Sequence, residues 1–158
     1  MDVASLTSRT RSNRPCLPGD RLKELLHRAA ALGVRVVMTH MPDGLLGGYS
    51  PVEDRIYLDL GLTPSERRSV LAHELGHVYY GHTCDEGPHS PLERQADTYA
   101  ATLLVHPEDY AELEQISPDV HYIAEELNVT PRIVHDFRRY VLQRLGQRTY
   151  AGHRLVTA

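Results

Sequence analysis

The chain has 158 residues, 41% of them hydrophobic, with a mean hydropathy of -0.38. That is long enough for one domain with its own core, and no apolar run approaches the roughly 18 residues that span a bilayer. The formal net charge of -4, from 17 basic and 21 acidic residues, gives no general attraction to phosphates, so neither a membrane nor nucleic acid is the expected partner.

Met1 to Arg14 is rich in Ser, Thr and Arg and lacks the apolar stretch of a secretory signal. Residues 1-18 are therefore expected to be a disordered arm, residues 19-146 a single domain and residues 147-158 a flexible tail. The two cysteines, Cys16 and Cys84, are read as reduced thiols of a cytoplasmic protein. From Asp20 to Ala31, Leu22, Leu25, Leu26, Ala29 and Ala30 recur at helical spacing, and Gly33 supplies a stop. Val34 to Thr39 is β-branched and apolar, and Arg55 to Asp59 alternates, so both read as strands. Turns are expected at Pro42-Asp43-Gly44 and Gly47-Gly48, with Tyr49 to Val52 completing a small antiparallel sheet.

Thr63-Pro64-Ser65-Glu66 combines an N-cap residue, a proline at the first helical position and the glutamate of a capping box. The helix it opens should run from Pro64 to about Tyr80, with Val70, Leu71, Leu75 and Val78 as its apolar stripe and Gly81 closing it. Thr83 to His89 is a loop, and Ser90-Pro91-Leu92-Glu93 repeats the cap pattern before a helix from Pro91 to Val105. His106-Pro107 breaks that helix, Ser117-Pro118 and Thr130-Pro131 announce two more, and Gly146 ends the last. The order of elements is that of an α+β fold, a small antiparallel sheet with a mainly helical body.

Inside the second helix stands His73-Glu74-Leu75-Gly76-His77. Residues four apart share a helical face with Cβ atoms about 5-6 Å apart, so both imidazoles can reach one ion, while Glu74 projects beside it without ligating. A zinc ion held by such ligands lowers the pKa of its water to about 7, within reach of a carboxylate base. Ten histidines in the chain allow such a pentapeptide to arise by accident, so the reading leans on what else the helices carry. Glu93 and Asp97 lie four apart on the next helix; Glu93 is the candidate third ligand, and Asp97 a candidate acceptor for the far nitrogen of a ligand histidine. The bland alternative for Glu93 is that it only caps its own helix.

The two blocks, His73-Glu74-Leu75-Gly76-His77 and Glu93-Arg94-Gln95-Ala96-Asp97 running on to Leu104, together with Ile56-Tyr57-Leu58-Asp59 upstream, resemble the ImmA/IrrE metallopeptidase family. The resemblance covers roughly Leu22 to Leu145, and the paired motifs also look like the wider gluzincin arrangement. It implies one zinc per chain on His73, His77 and Glu93, with Glu74 as general base. It further implies a protein substrate, a repressor or transcriptional regulator of a mobile element or stress regulon. Relatives that carry an added DNA-binding or sensor domain are longer than this chain.

Other residues leave readings open. Tyr79, Tyr80, Tyr99 and His106 are candidate donors to a developing oxyanion. His82 follows the helix-ending Gly81 and is read as a donor to free carbonyls, with His89 and Cys84 beside it in the loop. Substrate is expected to add as a strand along the sheet edge, on backbone groups of Tyr49 to Leu58. Ile123 to Val134 resembles a helix-turn-helix whose Arg132, His135, Arg138 and Arg139 could face phosphates, yet Glu125, Glu126 and Asp136 dilute the charge. The expected function is a zinc endopeptidase; the alternatives are a zinc-containing regulator that binds a repressor without cutting it, and a small DNA-binding protein using the C-terminal helices.

Overall fold

The computed structural model describes residues 18-83, 87 and 90-146. The expected N-terminal arm up to residue 17, Cys16, Cys84, His89 and the expected tail lie outside the described residues. In chain order the elements are α1 (Pro18–Ala31), β1 (Arg35–Thr39), β2 (Gly47–Ser50), β3 (Arg55–Asp59), α2 (Pro64–Tyr80), α3 (Pro91–Leu104), α4 (Pro107–Ile116), α5 (Val120–Leu127) and α6 (Pro131–Asp136). A π-helical stretch, Phe137–Leu142, continues α6. The class is α+β, as the pattern of elements implies.

The three strands form a sheet in the order β1-β3-β2. It is mixed rather than antiparallel: β1 pairs β3 in parallel, Val36 opposite Ile56, whereas β2 pairs β3 antiparallel, Tyr49 opposite Ile56. The β2 strand also begins two residues earlier than expected, because Gly47 and Gly48 extend rather than turn. Close packing explains the residue choice: a Cβ on Gly47 would stand 2.6 Å from Val70 and 2.9 Å from the Tyr57 carbonyl oxygen. Glycine there marks a close approach of strand to helix. The helix α4 was not anticipated, since His106-Pro107 reads as a break; Pro107 is instead its first residue, where a missing N–H is harmless.

The central helix is α2. Thr63 caps it, with its hydroxyl accepting from the Glu66 N–H while the Glu66 carboxylate accepts from the Thr63 N–H, and Gly81 closes it at φ 67°. Leu71, Ala72 and Leu75 are fully buried, each leucine contributing about 1.5-3 kcal/mol by leaving water. They join Ile56 and Leu58 of the sheet, Ala100, Ala101 and Leu104 of α3, and Ile123, Val134 and Phe137 of the C-terminal helices in one core.

The approach of α3 to α2 is set at Gly76. A Cβ there would lie 2.8 Å from the Ala96 Cα and 3.1 Å from its carbonyl oxygen. A glycine facing an alanine lets the two backbones nearly touch, and that distance carries Glu93 and Asp97 to the face of α2 that bears His73 and His77.

Candidate metal centre

The His-Glu-x-x-His spacing puts His73 and His77 one turn apart, with Nε2 atoms 3.1 Å from each other. Ser90 caps α3 by accepting from the Glu93 N–H, which frees the Glu93 carboxylate to turn away from its own helix. One carboxylate oxygen lies 3.2 Å from His73 Nε2 and the other 3.1 Å from His77 Nε2. Capping at the backbone and reaching across with the side chain are therefore both done by Glu93. His73, His77 and Glu93 are the cluster of metal-type donors found among the described residues.

The donor set fits a zinc ion. Ligands about 2.0-2.1 Å from a tetrahedral ion stand about 3.3 Å apart, close to the 3.1-3.2 Å separations here. Two imidazoles and one carboxylate are also the set of catalytic rather than closed structural zinc sites.

Each histidine is held from behind, but differently. His73 Nδ1–H donates to Asp97 Oδ1 at 3.0 Å, and Arg132 of α6 donates to both Asp97 oxygens at 3.0 and 3.1 Å. His77 Nδ1 instead meets Nδ1 of His82 at 3.0 Å, and His82 Nε2 meets Gln95 Oε1 at 3.0 Å. The left-handed Gly81 makes this second contact by folding the chain back, so that the His82 N–H also donates to the His77 carbonyl. His82 thus serves the site, in addition to lying at the end of α2. Gln95 and Arg132 were not visible as parts of the site: Gln95 lies two residues past Glu93, and Arg132 comes from 35 residues beyond Asp97.

Glu74 is buried, and its carboxyl is pushed up to about 7 by that burial and by the charge of Glu93, against the pull of His73 and of a Tyr49 backbone N–H. Burial pulls His73 down, but the hydrogen bond it donates to Asp97 and the charges of Glu74, Asp97 and Glu93 outweigh it and hold the ring above its ordinary value. Burial raises Asp97, yet His73 and Arg132 together hold it below the usual range. Beside it, burial and the Asp97 charge lift Asp136 to about 6, although Arg132 lies 3.7 Å away. One guanidinium stands between two carboxylates and favours the charge on Asp97.

Two clefts flank the cluster. One, about 380 Å³, is lined by Gly47, Gly48, Tyr49, His73, Glu74, His77, His82 and Glu93 among others. The other, about 320 Å³, lies between β2, α2 and α6, with Asp97, Arg132 and Asp136 in its wall. Glu74 faces both. None of the four candidate oxyanion donors lines either cleft: Tyr79 stacks on Tyr99 and packs edge-on to Tyr80, Tyr80 stacks on His82, and His106 borders a separate cavity with Arg21, Arg28 and Arg68. In the helix-turn-helix-like pair and its continuation, Arg132, largely exposed, pairs with Asp97, Arg138 donates to the Tyr110 hydroxyl and the Pro118 carbonyl, and Arg139, also exposed, lies over the Tyr140 ring.

The family model for the IrrE N-terminal-like domain, Peptidase_M78, matches residues 29–136. The chain belongs to this family. No curated protein matches the chain. Among solved structures, a Mycobacterium tuberculosis transcriptional regulator has a similar fold at 19% identity and a TM-score of 0.60, over 75% of this chain and 40% of that one. This Peptidase_M78 chain therefore spans less than half of that regulator's length. Among its described residues no helix is long and apolar enough to cross a membrane.

Proposed function

We propose that the chain is a zinc-dependent endopeptidase acting on a regulatory protein, a repressor of a mobile element or a stress regulon. The observation that carries this reading is the convergence of His73, His77 and Glu93 donors beside a buried Glu74 whose carboxyl sits near neutrality. His73, His77 and Glu93 would hold the zinc, which when bound supplies a Lewis acid to polarise the scissile carbonyl and acidify a water.

The chain's own residues account for the rest. Glu74, buried beside the ligands, takes a proton from the attacking water and passes it to the leaving amide nitrogen. The Tyr49 N–H fixes that carboxylate by donating to it. The same bond places the outer edge of β2 against the site, so an extended substrate segment pairs with Gly47 to Ser50 as an added strand. A protein substrate is in keeping with membership of the family; the structural neighbour is itself called a transcriptional regulator, which leaves a binding role for the fold open as well.

The test is incubation of a metal-replete chain with the product of a neighbouring repressor-like gene, followed by intact mass. Glu74→Gln should lose cleavage by about 10²-10⁴-fold while still binding one zinc. A purified chain without stoichiometric zinc would overturn the site. A Glu74→Gln chain that still relieves repression in full would instead make it a binder that sequesters without cutting.

A further inference from the structure

We propose that Gln95 and His82 are positioning residues that lock His77 in the tautomer a metal requires, a neutral counterpart to the charged Arg132–Asp97 support behind His73. The inference rests on the reading of the cluster as a zinc site. It follows from which atoms can donate. A glutamine Oε1 only accepts, so His82 Nε2, 3.0 Å from Gln95 Oε1, carries its proton. A neutral imidazole has one N–H, so His82 Nδ1 accepts, and the proton in its 3.0 Å contact with His77 belongs to His77 Nδ1. His77 Nε2 is then left with its lone pair directed at the position shared by His73 Nε2 and Glu93.

The opposite polarity would put a proton on His77 Nε2, where it blocks ligation, so the relay runs in only one productive direction. His73 reaches the same tautomer by donating to an anion. A carboxylate behind an imidazole raises its basicity as a ligand, whereas a neutral chain fixes orientation without adding charge. The site thereby presents two ligand histidines oriented alike, and among the described residues a carboxylate hydrogen-bonded from behind is seen at His73.

The experiment uses the full chain, stripped of metal by a chelator and labelled with ¹⁵N at histidine, at a pH of about 8 where free imidazoles are neutral. In the wild type, His77 should show a protonated Nδ1 and an unprotonated Nε2. Gln95→Leu and His82→Ala should both shift it toward a mixture of tautomers. Zinc affinity, read by competition with a chromophoric chelator, should fall about 10-100-fold in His82→Ala. His82→Asn should restore most of it, because asparagine Oδ1 is bonded to Cγ as histidine Nδ1 is and offers an acceptor in the same place.

A His77 protonated at Nε2 in the metal-free wild type would overturn the relay, as would His82→Ala with unchanged tautomer and zinc affinity. If His82→Ala fails to fold, His82→Asn and Gln95→Leu decide the matter alone. A wild type that binds no zinc would sink the underlying metal site instead, and the tautomer measurement would still judge the relay.

Discussion

Two helix pairs of similar sequence character do different work here. In the pairs α2–α3 and α5–α6, the helices α2, α3 and α6 each open with a cap residue followed by a proline and α5 with the cap residue Asp119, and both pairs pack into the same core. At the α5–α6 contact the buried residues are Ile123, Ala124, Leu127, Val129, Ile133 and Val134, an apolar interface whose turn is held from α2 by the buried Arg68 and Ser69. At the α2–α3 contact a glycine and an alanine nearly touch, and just beyond them five ionisable groups crowd together. Desolvating such groups is expensive, so α2–α3 is the pair that carries the electrostatic cost, and α5–α6 braces it.

The largest effect should come from the bracing side. Phe137 is fully buried and its ring centroid lies 4.9 Å from that of Tyr110. Phe137→Ala is expected to lower unfolding free energy in urea by about 3-5 kcal/mol, with zinc affinity of the folded fraction unchanged. An affinity that falls with stability would dissolve the distinction between the two pairs. Next comes Gly76→Ala. In an exposed helix this change is worth about 1 kcal/mol in favour of folding, but here the new methyl meets the Ala96 backbone. The sign should reverse to a loss of about 1-3 kcal/mol, and because α3 must move, zinc affinity should fall too.

Asp136 tests the boundary between the pairs. Its carboxyl is raised to about 6 from 3.8, so the fold favours the neutral acid. The penalty is absent below about pH 4, grows through pH 4-6 and is complete above it, which makes stability fall as pH rises through that window. The full shift of about 2 units would correspond to about 3 kcal/mol, which exposure to the cleft should reduce to about 1-2 kcal/mol. Asp136→Asn should therefore stabilise the chain by that amount at pH 8 and not at pH 3.5, as read by urea midpoints. A gain independent of pH would mean that the side chain's shape, not its charge, is at issue.

How much of this could be read from the sequence depends on range. The caps of α2 and α3, the stop at Gly81 and the β3 strand are local, and each stands where propensity and periodicity put it. The pairing of His73 with His77 and of Glu93 with Asp97 was legible because helical spacing converts sequence distance into a shared face, and Glu74 drew notice because it adjoins His73. What was not legible depends on tertiary approach. Gly47 reads as a turn residue until Val70 is packed on it, and the parallel pairing of β1 with β3 has no local signature. Arg132 reads as a phosphate contact until α6 is seen against α3. His82 was close to legible, since a left-handed residue after a helix returns the chain onto its last turn.

The smallest effect sharpens the comparison most, because it sets like against like. Thr63-Pro64 and Thr130-Pro131 open α2 and α6 with the same two residues. Thr63 completes a capping box with Glu66, whereas Thr130 makes no side-chain cap bond, and its N–H donates to the Ser69 hydroxyl of α2 at 3.0 Å. Thr63→Ala should lower stability by about 1 kcal/mol, and Thr130→Ala by only a few tenths. Hydrogen bonds from the Thr63 hydroxyl and N–H hold the Glu66 carboxyl below its usual value. The capping contribution should accordingly be present at neutral pH and fade as pH falls through that lowered value, where protonation removes the acceptor. Equal effects of the two alanine substitutions at pH 7 would mean that the capping geometry is not what distinguishes α2. Ser69→Ala, in contrast, should be felt at the start of α6, since it is α2 that supplies the partner α6 lacks in its own cap.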